Sequence, residues 1–283
     1  MRRQSTARYI VTLILSYCLS FFLIVFITGV IALRTVFNPW YILTQTDRSG
    51  FPEQAATELR EIFISYGHGS GVSSEFMASL ITARHVADAV EGSILITFEE
   101  GTVFSYTKFT DDIFHKLQDY AVSQGYETTS EVRIGLNDLA VLCTNALKDY
   151  LGSPIIGFLA AAQRNTQNLF VGILIVGVLS LIAILALPFT NRRVTRWIDG
   201  YIYALGAAVI LCAAVPVAAY VSNITSRLQI TPVSFNKLVS SLLDGVIYGY
   251  LIALIPLILF MIICIIIRIL RSAKRRDQRR YIL

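Results

Sequence analysis

Four runs of 21 to 24 residues without a single Asp, Glu, Lys, Arg or His constrain this chain more than any other feature: residues 10–33, 169–189, 201–221 and 246–267. A helix needs about 20 apolar residues to cross a hydrocarbon core of about 30 Å. Lipid offers no partner for backbone N–H and C=O groups, so a crossing segment of this kind is helical. The expected fold class is an all-α membrane protein, with four transmembrane helices plus a mainly helical extracytoplasmic domain between the first and second of them.

The first run has the basic start of a signal peptide in Arg2, Arg3 and Arg8. Its length exceeds the usual apolar region of about 7–15 residues, and Ile31-Ala32-Leu33-Arg34 is no small-residue cleavage site. Cys18 follows Tyr17, too large for a lipoprotein cleavage site. An uncleaved anchor is therefore expected. Lys and Arg near membrane ends set orientation. The N-tail (1–9), the loop 190–200 and the C-tail (268–283) together hold thirteen Lys/Arg against Asp199 and Asp277. The expected arrangement places both termini in the cytoplasm, residues 35–167 and the loop 222–245 outside, and the chain in the plasma membrane. Trp40 and Tyr41 at one end, and Trp197, Tyr201 and Tyr203 at another, are suited to the headgroup level.

The formal net charge of +5 hides an asymmetry. Residues 35–167 contain 16 acids and 8 Lys/Arg, a balance of −8, whereas the tails and the loop 190–200 are strongly basic. The basic charge is topogenic and attracts anionic lipid headgroups at about 1 kcal/mol per residue; it does not point to nucleic acid. Of four cysteines only Cys143 belongs to the acidic domain, so that domain has no internal disulfide and needs its own core. Cys143 reads as a small buried apolar residue.

Helical periodicity and punctuation divide the domain. Pro52 opens a helix with Ala55, Leu59, Ile62 and Phe63 on one face, ended by the glycine-rich turn Gly67–Gly71. Ser73 or Ser74 caps a short helix with Phe76, Met77 and Leu80; Thr82 caps one with Val86, Val90 and Ile94. Phe109, Ile113, Leu117, Tyr120 and Ala121 form the next face, ended by Gly125. Thr128-Thr129-Ser130-Glu131 is a capping box opening a helix with Val132, Leu136, Leu139, Cys143, Ala146 and Leu147 on one face. Pro154 breaks that helix. Ser93–Tyr106 is compatible with a helix or a small hairpin. In the loop 222–245, Phe235, Leu238, Val239, Leu242 and Leu243 make an amphipathic helix, lying on the outer membrane face or packing under the acidic domain.

No motif carries recognisable chemistry. Gly67–Gly71 lacks the Lys-Ser/Thr of a phosphate loop, and Ser70 lacks the flanking glycines of a nucleophile elbow. His85, Asp88 and Glu91 fall at i, i+3 and i+6, and Asp111, Asp112 and His115 cluster near a helix start. These six are the weak candidate metal or catalytic residues. Exposed positions on a solvated face account for the first three, and complementing a helix dipole accounts for the second three. No catalytic, cofactor or metal site is expected, and no cofactor. The apolar runs hold no ionisable residue, which speaks against an autonomous ion- or proton-coupled carrier. Ala204, Ala208 and Cys212, and again Ala214 and Ala218, space small residues for close helix packing, within the chain or against a partner.

The segment Phe37-Asn38-Pro39-Trp40-Tyr41 after the anchor, the Gly67–Val72 turn and the run of short helices to Tyr150 resemble a family of Gram-positive bacterial integral membrane proteins. That family shares an N-terminal anchor, a helical extracytoplasmic domain and three further membrane helices. The resemblance implies the four-helix architecture and brings no activity or functional residue with it. The function expected is non-enzymatic: an envelope binding, sensing or accessory protein acting with a membrane-protein partner or as a homo-oligomer. The alternatives are a permease subunit in transport and, behind it, an envelope hydrolase using the His85 or Asp111 cluster.

Overall fold

A computed structural model of the chain describes residues 2–97, 104–127, 129–152, 154–190 and 194–280; the side chains of 2–7, 97, 154–165, 194–195, 226 and 274–280 fall outside that description, and with them most of the basic tails. Every regular element among the described residues is a helix. In chain order these are α1 (Arg2–Arg34), α2 (Pro39–Arg48), α3 (Phe51–Ser70), α4 (Ser74–Ser79), α5 (Ala83–Thr97), α6 (Tyr106–Ser123), α7 (Ser130–Leu151), α8 (Pro154–Thr190), α9 (Val194–Ser222), α10 (Ile224–Arg227) and α11 (Val233–Arg280). They form two compact units.

The first unit comprises 1–35, 166–227 and 243–283. It contains the four segments long and apolar enough to span a membrane, Arg8–Arg34, Thr166–Thr190, Arg196–Ser222 and Val233–Ala273, the last reaching back beyond this unit. Its helices are apolar all round, and only a stripe of each faces a neighbour. On α1 the stripe runs through Thr12, Ser16, Leu19, Ser20 and Ile31 at helical spacing. Buried hydroxyls need partners in such a setting, and they turn back onto the helix. Ser16 donates to the Thr12 carbonyl at 2.8 Å, and Thr35 to that of Ile31 at 2.7 Å.

The partner stripe on α9 is Ala204, Ala208 and Cys212, all buried as the small-residue spacing predicts. Ala214 and Ala218 stay exposed; the buried line continues through Pro216 instead, four residues on from Cys212. Gly200 extends the close approach. A Cβ there would stand 3.0 Å from Ser16 Oγ and 2.9 Å from a Leu187 methyl. At the ends of two apolar runs, Arg268 and Asp199 pair at 2.8 Å.

The second unit comprises 36–165 and 228–242. Thus the first turns of α11 join residues of the expected acidic domain, and the expected separate amphipathic helix is one piece with the fourth apolar run. Phe235 and Leu238 lie in the unit's core, with Phe235 edge-on to Phe51 at 5.0 Å between centroids. Much of the rest of the core is expected from periodicity: Ala55, Leu59, Phe63, Met77, Leu80, Val86, Phe109, Ile113, Leu117, Leu139, Cys143 and Leu147. Ile42, Phe51, Ala56, Ile81, Ala140 and Leu151 join it unforeseen, and Val132, expected on the buried face of α7, is exposed at its first turn. Cys143 is fully buried, and burial pushes its thiol up to about 12, so it is an inert apolar residue.

Caps set the boundaries. Oxygens of Ser73, Thr82, Ser105 and Thr129 accept from the N–H groups of Phe76, His85, Lys108 and Val132. Because Thr129 is the cap, Glu131 stands in the first turn one place short of the reciprocal capping-box position. The glycine-rich turn is shorter than expected. Gly67–Ser70 remain helical, and α3 stops at Gly71 in the left-handed region, φ 70°. The hairpin alternative fails over Ser93–Thr97, which is helical, while 98–103 lie outside the described residues. The helix α2 was not foreseen at all. Asn38 caps it, accepting from Tyr41 N at 3.2 Å, and Pro39 occupies its first turn.

Three polar side chains fix the start of α11 within this unit. Ser234, fully buried, donates its backbone N–H to Glu58 Oε1 at 3.2 Å. Its hydroxyl lies 3.2 Å from Glu58 Oε2 and 2.6 Å from the Tyr150 hydroxyl. Tyr150 in turn donates to the same carboxylate. A carboxylate at a helix N-terminus satisfies an orphan N–H and complements the dipole.

Candidate functional site, a charged cavity on α5 and α6

Residues of helices α5 and α6, with those just before α6, line a solvent-open cavity of about 430 Å³ in the second unit. From α5 come His85, Asp88, Glu91 and Leu95, positions 3–4 residues apart and so on one face. From α6 come Lys108, Phe109 and Asp112, again on one face. Gly92 and Phe104 set how closely the walls approach. A Cβ on Gly92 would stand 2.9 Å from the Phe104 backbone nitrogen, so only glycine fits there without a shift.

The two clusters singled out in the sequence are therefore partly one. His85, Asp88, Glu91 and Asp112 line the same cavity, whereas Asp111 and His115 are not part of its lining. Asp88, Glu91, Asp111, Asp112 and His115 are exposed. His85 departs from the solvated-face expectation. Its ring is half-buried, edge-on to Phe109 with centroids 5.5 Å apart, and its Nδ1 is shielded from solvent. Burial lowers its pKa from the ordinary 6.5, and the Lys116 ammonium lowers it further; Asp88 and Asp112 oppose the shift. The imidazole is thus neutral at pH 7.

Three carboxylates against the single cation Lys108 make the cavity net negative, with Phe104, Phe109 and Leu95 supplying apolar wall. No group of three or more His, Cys, Asp or Glu among the described residues is placed to hold a metal ion. Lys108 was missed in the sequence, although it precedes Asp112 by one helical turn. Phe104 belongs to the stretch Ser93–Tyr106, for which the sequence allows a helix or a small hairpin.

Compared with known proteins, the chain matches no protein-family model, no curated protein and no solved structure. The family resemblance carried by Phe37–Tyr41 and Gly67–Val72 therefore stays an expectation. What is established is that the regular elements among the described residues are all helical and include four segments of membrane-spanning length and composition.

Proposed function

We propose that this chain is a non-enzymatic binding or accessory protein of the cell envelope, whose acidic helical domain lies outside the membrane and engages a membrane-protein partner. The observation that carries the reading is the α5–α6 cavity. A separately cored unit opens a charged, aromatic-walled recess to solvent, and concave sites of this mixed character favour binding. The membrane spans then serve to hold that unit at the surface. The basic tails and the loop 190–200 support cytoplasmic termini by the positive-inside rule.

Site-specific photo-crosslinking in native membranes tests this. A photoreactive residue placed at Glu91 or Asp112, both on the cavity, is expected to capture one discrete partner band. The same residue at Asp119 or Asp149, exposed and outside the cavity lining, is expected to capture none. Equal capture from all four positions, or none from the cavity pair, would overturn the proposal.

A further inference from the structure

A second recess lies wholly within the first unit, between the last turns of α1 and the middle of α11. Phe26, Ile27 and Val30 form one wall, Ile252 and Pro256 the other, and Arg34 lines its end on α1. Its volume is about 310 Å³. The helices are pinned beside it by two contacts. Tyr250 donates to Thr28 Oγ1 at 2.9 Å, and Gly249 stands so close to Ile31 that a Cβ would reach its Cγ2 at 2.9 Å.

Two features select an occupant. The lining is apolar apart from Arg34 and Thr35, and the Thr35 hydroxyl is committed to the Ile31 carbonyl at 2.7 Å. The helices on both sides belong to segments of membrane-spanning length, so the apolar filler at hand is a lipid chain. From Phe26 to Arg34 the wall extends about 12 Å along the helix. Arg34 is the one formal charge on the lining, it is exposed, and no carboxylate accompanies it. A guanidinium is always charged and matches a phosphate with two parallel hydrogen bonds, while its stem lies along apolar surface.

We propose that this groove is a binding site for an anionic glycerophospholipid, with one acyl chain between α1 and α11 and the phosphate on Arg34. A neighbouring groove between α1 and α8, about 480 Å³, has similar apolar walls around Gly29 and Gly172 but no charged residue. It holds chains without selecting a headgroup and serves as the internal control.

The test is native mass spectrometry of the full-length chain in mild detergent, with phosphatidylglycerol or phosphatidylcholine added. The wild type is expected to retain phosphatidylglycerol in preference. Arg34→Gln is expected to lower that retention about fivefold, the worth of one Lys or Arg at an anionic headgroup, and to leave phosphatidylcholine unchanged. Ala253→Trp, which fills the groove, removes the preference; Gly172→Trp, in the control groove, keeps it. Inorganic phosphate does not displace the lipid, which separates a lipid site from a bare anion site. Undiminished phosphatidylglycerol retention in Arg34→Gln would overturn the proposal, as would displacement by phosphate. Should Ala253→Trp fail to fold, the Arg34→Gln comparison decides alone, because Arg34 is exposed at a helix end.

Discussion

Tyr150 shows how much a single hydroxyl can hold. It contacts Glu58 and Ser234 at once, and Ser234 is the second residue of α11. Burial raises its pKa above 10, the Glu58 hydrogen bond adds to that, and Ser234 partly offsets it, so the phenol stays protonated and able to donate. Tyr150→Phe keeps the ring against Phe235 but removes both hydroxyl contacts, leaving Glu58 with Ser234 and the Gln54 amide. The expected cost is about 1–3 kcal/mol, read as a lower thermal midpoint of the full-length chain in detergent. Combining it with Ser234→Ala gives less than the sum of the two, because both act on one carboxylate; strict additivity would show that the three groups do not form a network. His85 provides a pH readout. Its folded pKa lies below 6.5, so its contribution is fully present above pH 6.5 and is lost as pH falls through the folded value. Midpoints measured from pH 7.5 to 5 are expected to fall less for His85→Gln than for the wild type. Parallel curves would mean that His85 carries no such linkage.

Within elements, the decisive contacts are close approaches. Gly92 sits in the middle of α5, where glycine costs about 1 kcal/mol relative to alanine on propensity alone. Alanine there nonetheless meets the Phe104 backbone, which cannot rotate away as a side-chain tip does. Gly92→Ala is therefore expected to destabilise by about 1–3 kcal/mol and to shift the Phe104 wall of the cavity; a raised thermal midpoint would contradict the geometry. This contact also marks where the sequence stops being legible. Ala55, Leu59 and Phe63, or Phe109, Ile113 and Leu117, declare their helices because a helix buries one face at a fixed local spacing. The capping oxygens of Ser73 and Thr82 declare two of the starts. The helix α2 was missed although Asn38-Pro39 is a cap followed by a first-turn proline, because these residues were read as a family signature beside a membrane anchor. Helix α11 was cut in two at Asp244-Gly245. The intact helix passes through because one glycine costs less than leaving the carbonyls of a broken end unsatisfied. The cavity was invisible for a different reason: it needs residues of α5 and α6 brought to one recess, and nothing in a single sequence states that meeting. The same holds for the Glu58–Tyr150–Ser234 contacts, which join residues 84 to 176 positions apart.

At the scale of the whole molecule, charge and apolar length predict a topology. Outward-facing positions of the first unit are apolar over all four long segments, with Phe21, Ile175, Val217 and Leu259 among the exposed side chains. Water would not tolerate so continuous an apolar surface, and lipid would. The Lys/Arg excess of the tails and of the loop 190–200 supports the proposed direction, in which the acidic stretch 35–167 would lie on the opposite side. Cysteine labelling checks this. The four native cysteines are all free, so replacing them gives a background for single cysteines at Ser123 in the second unit and Ser272 near the C-terminus, both exposed. In intact cells a membrane-impermeant maleimide is expected to label Ser123→Cys and to leave Ser272→Cys unmodified until the membrane is opened. The reverse pattern would invert the molecule and place the α5–α6 cavity in the cytoplasm, ending the envelope-binding proposal. Labelling at both positions would mean an even number of crossings between them, so that one of the three apolar segments 169–189, 201–221 and 246–267 does not span.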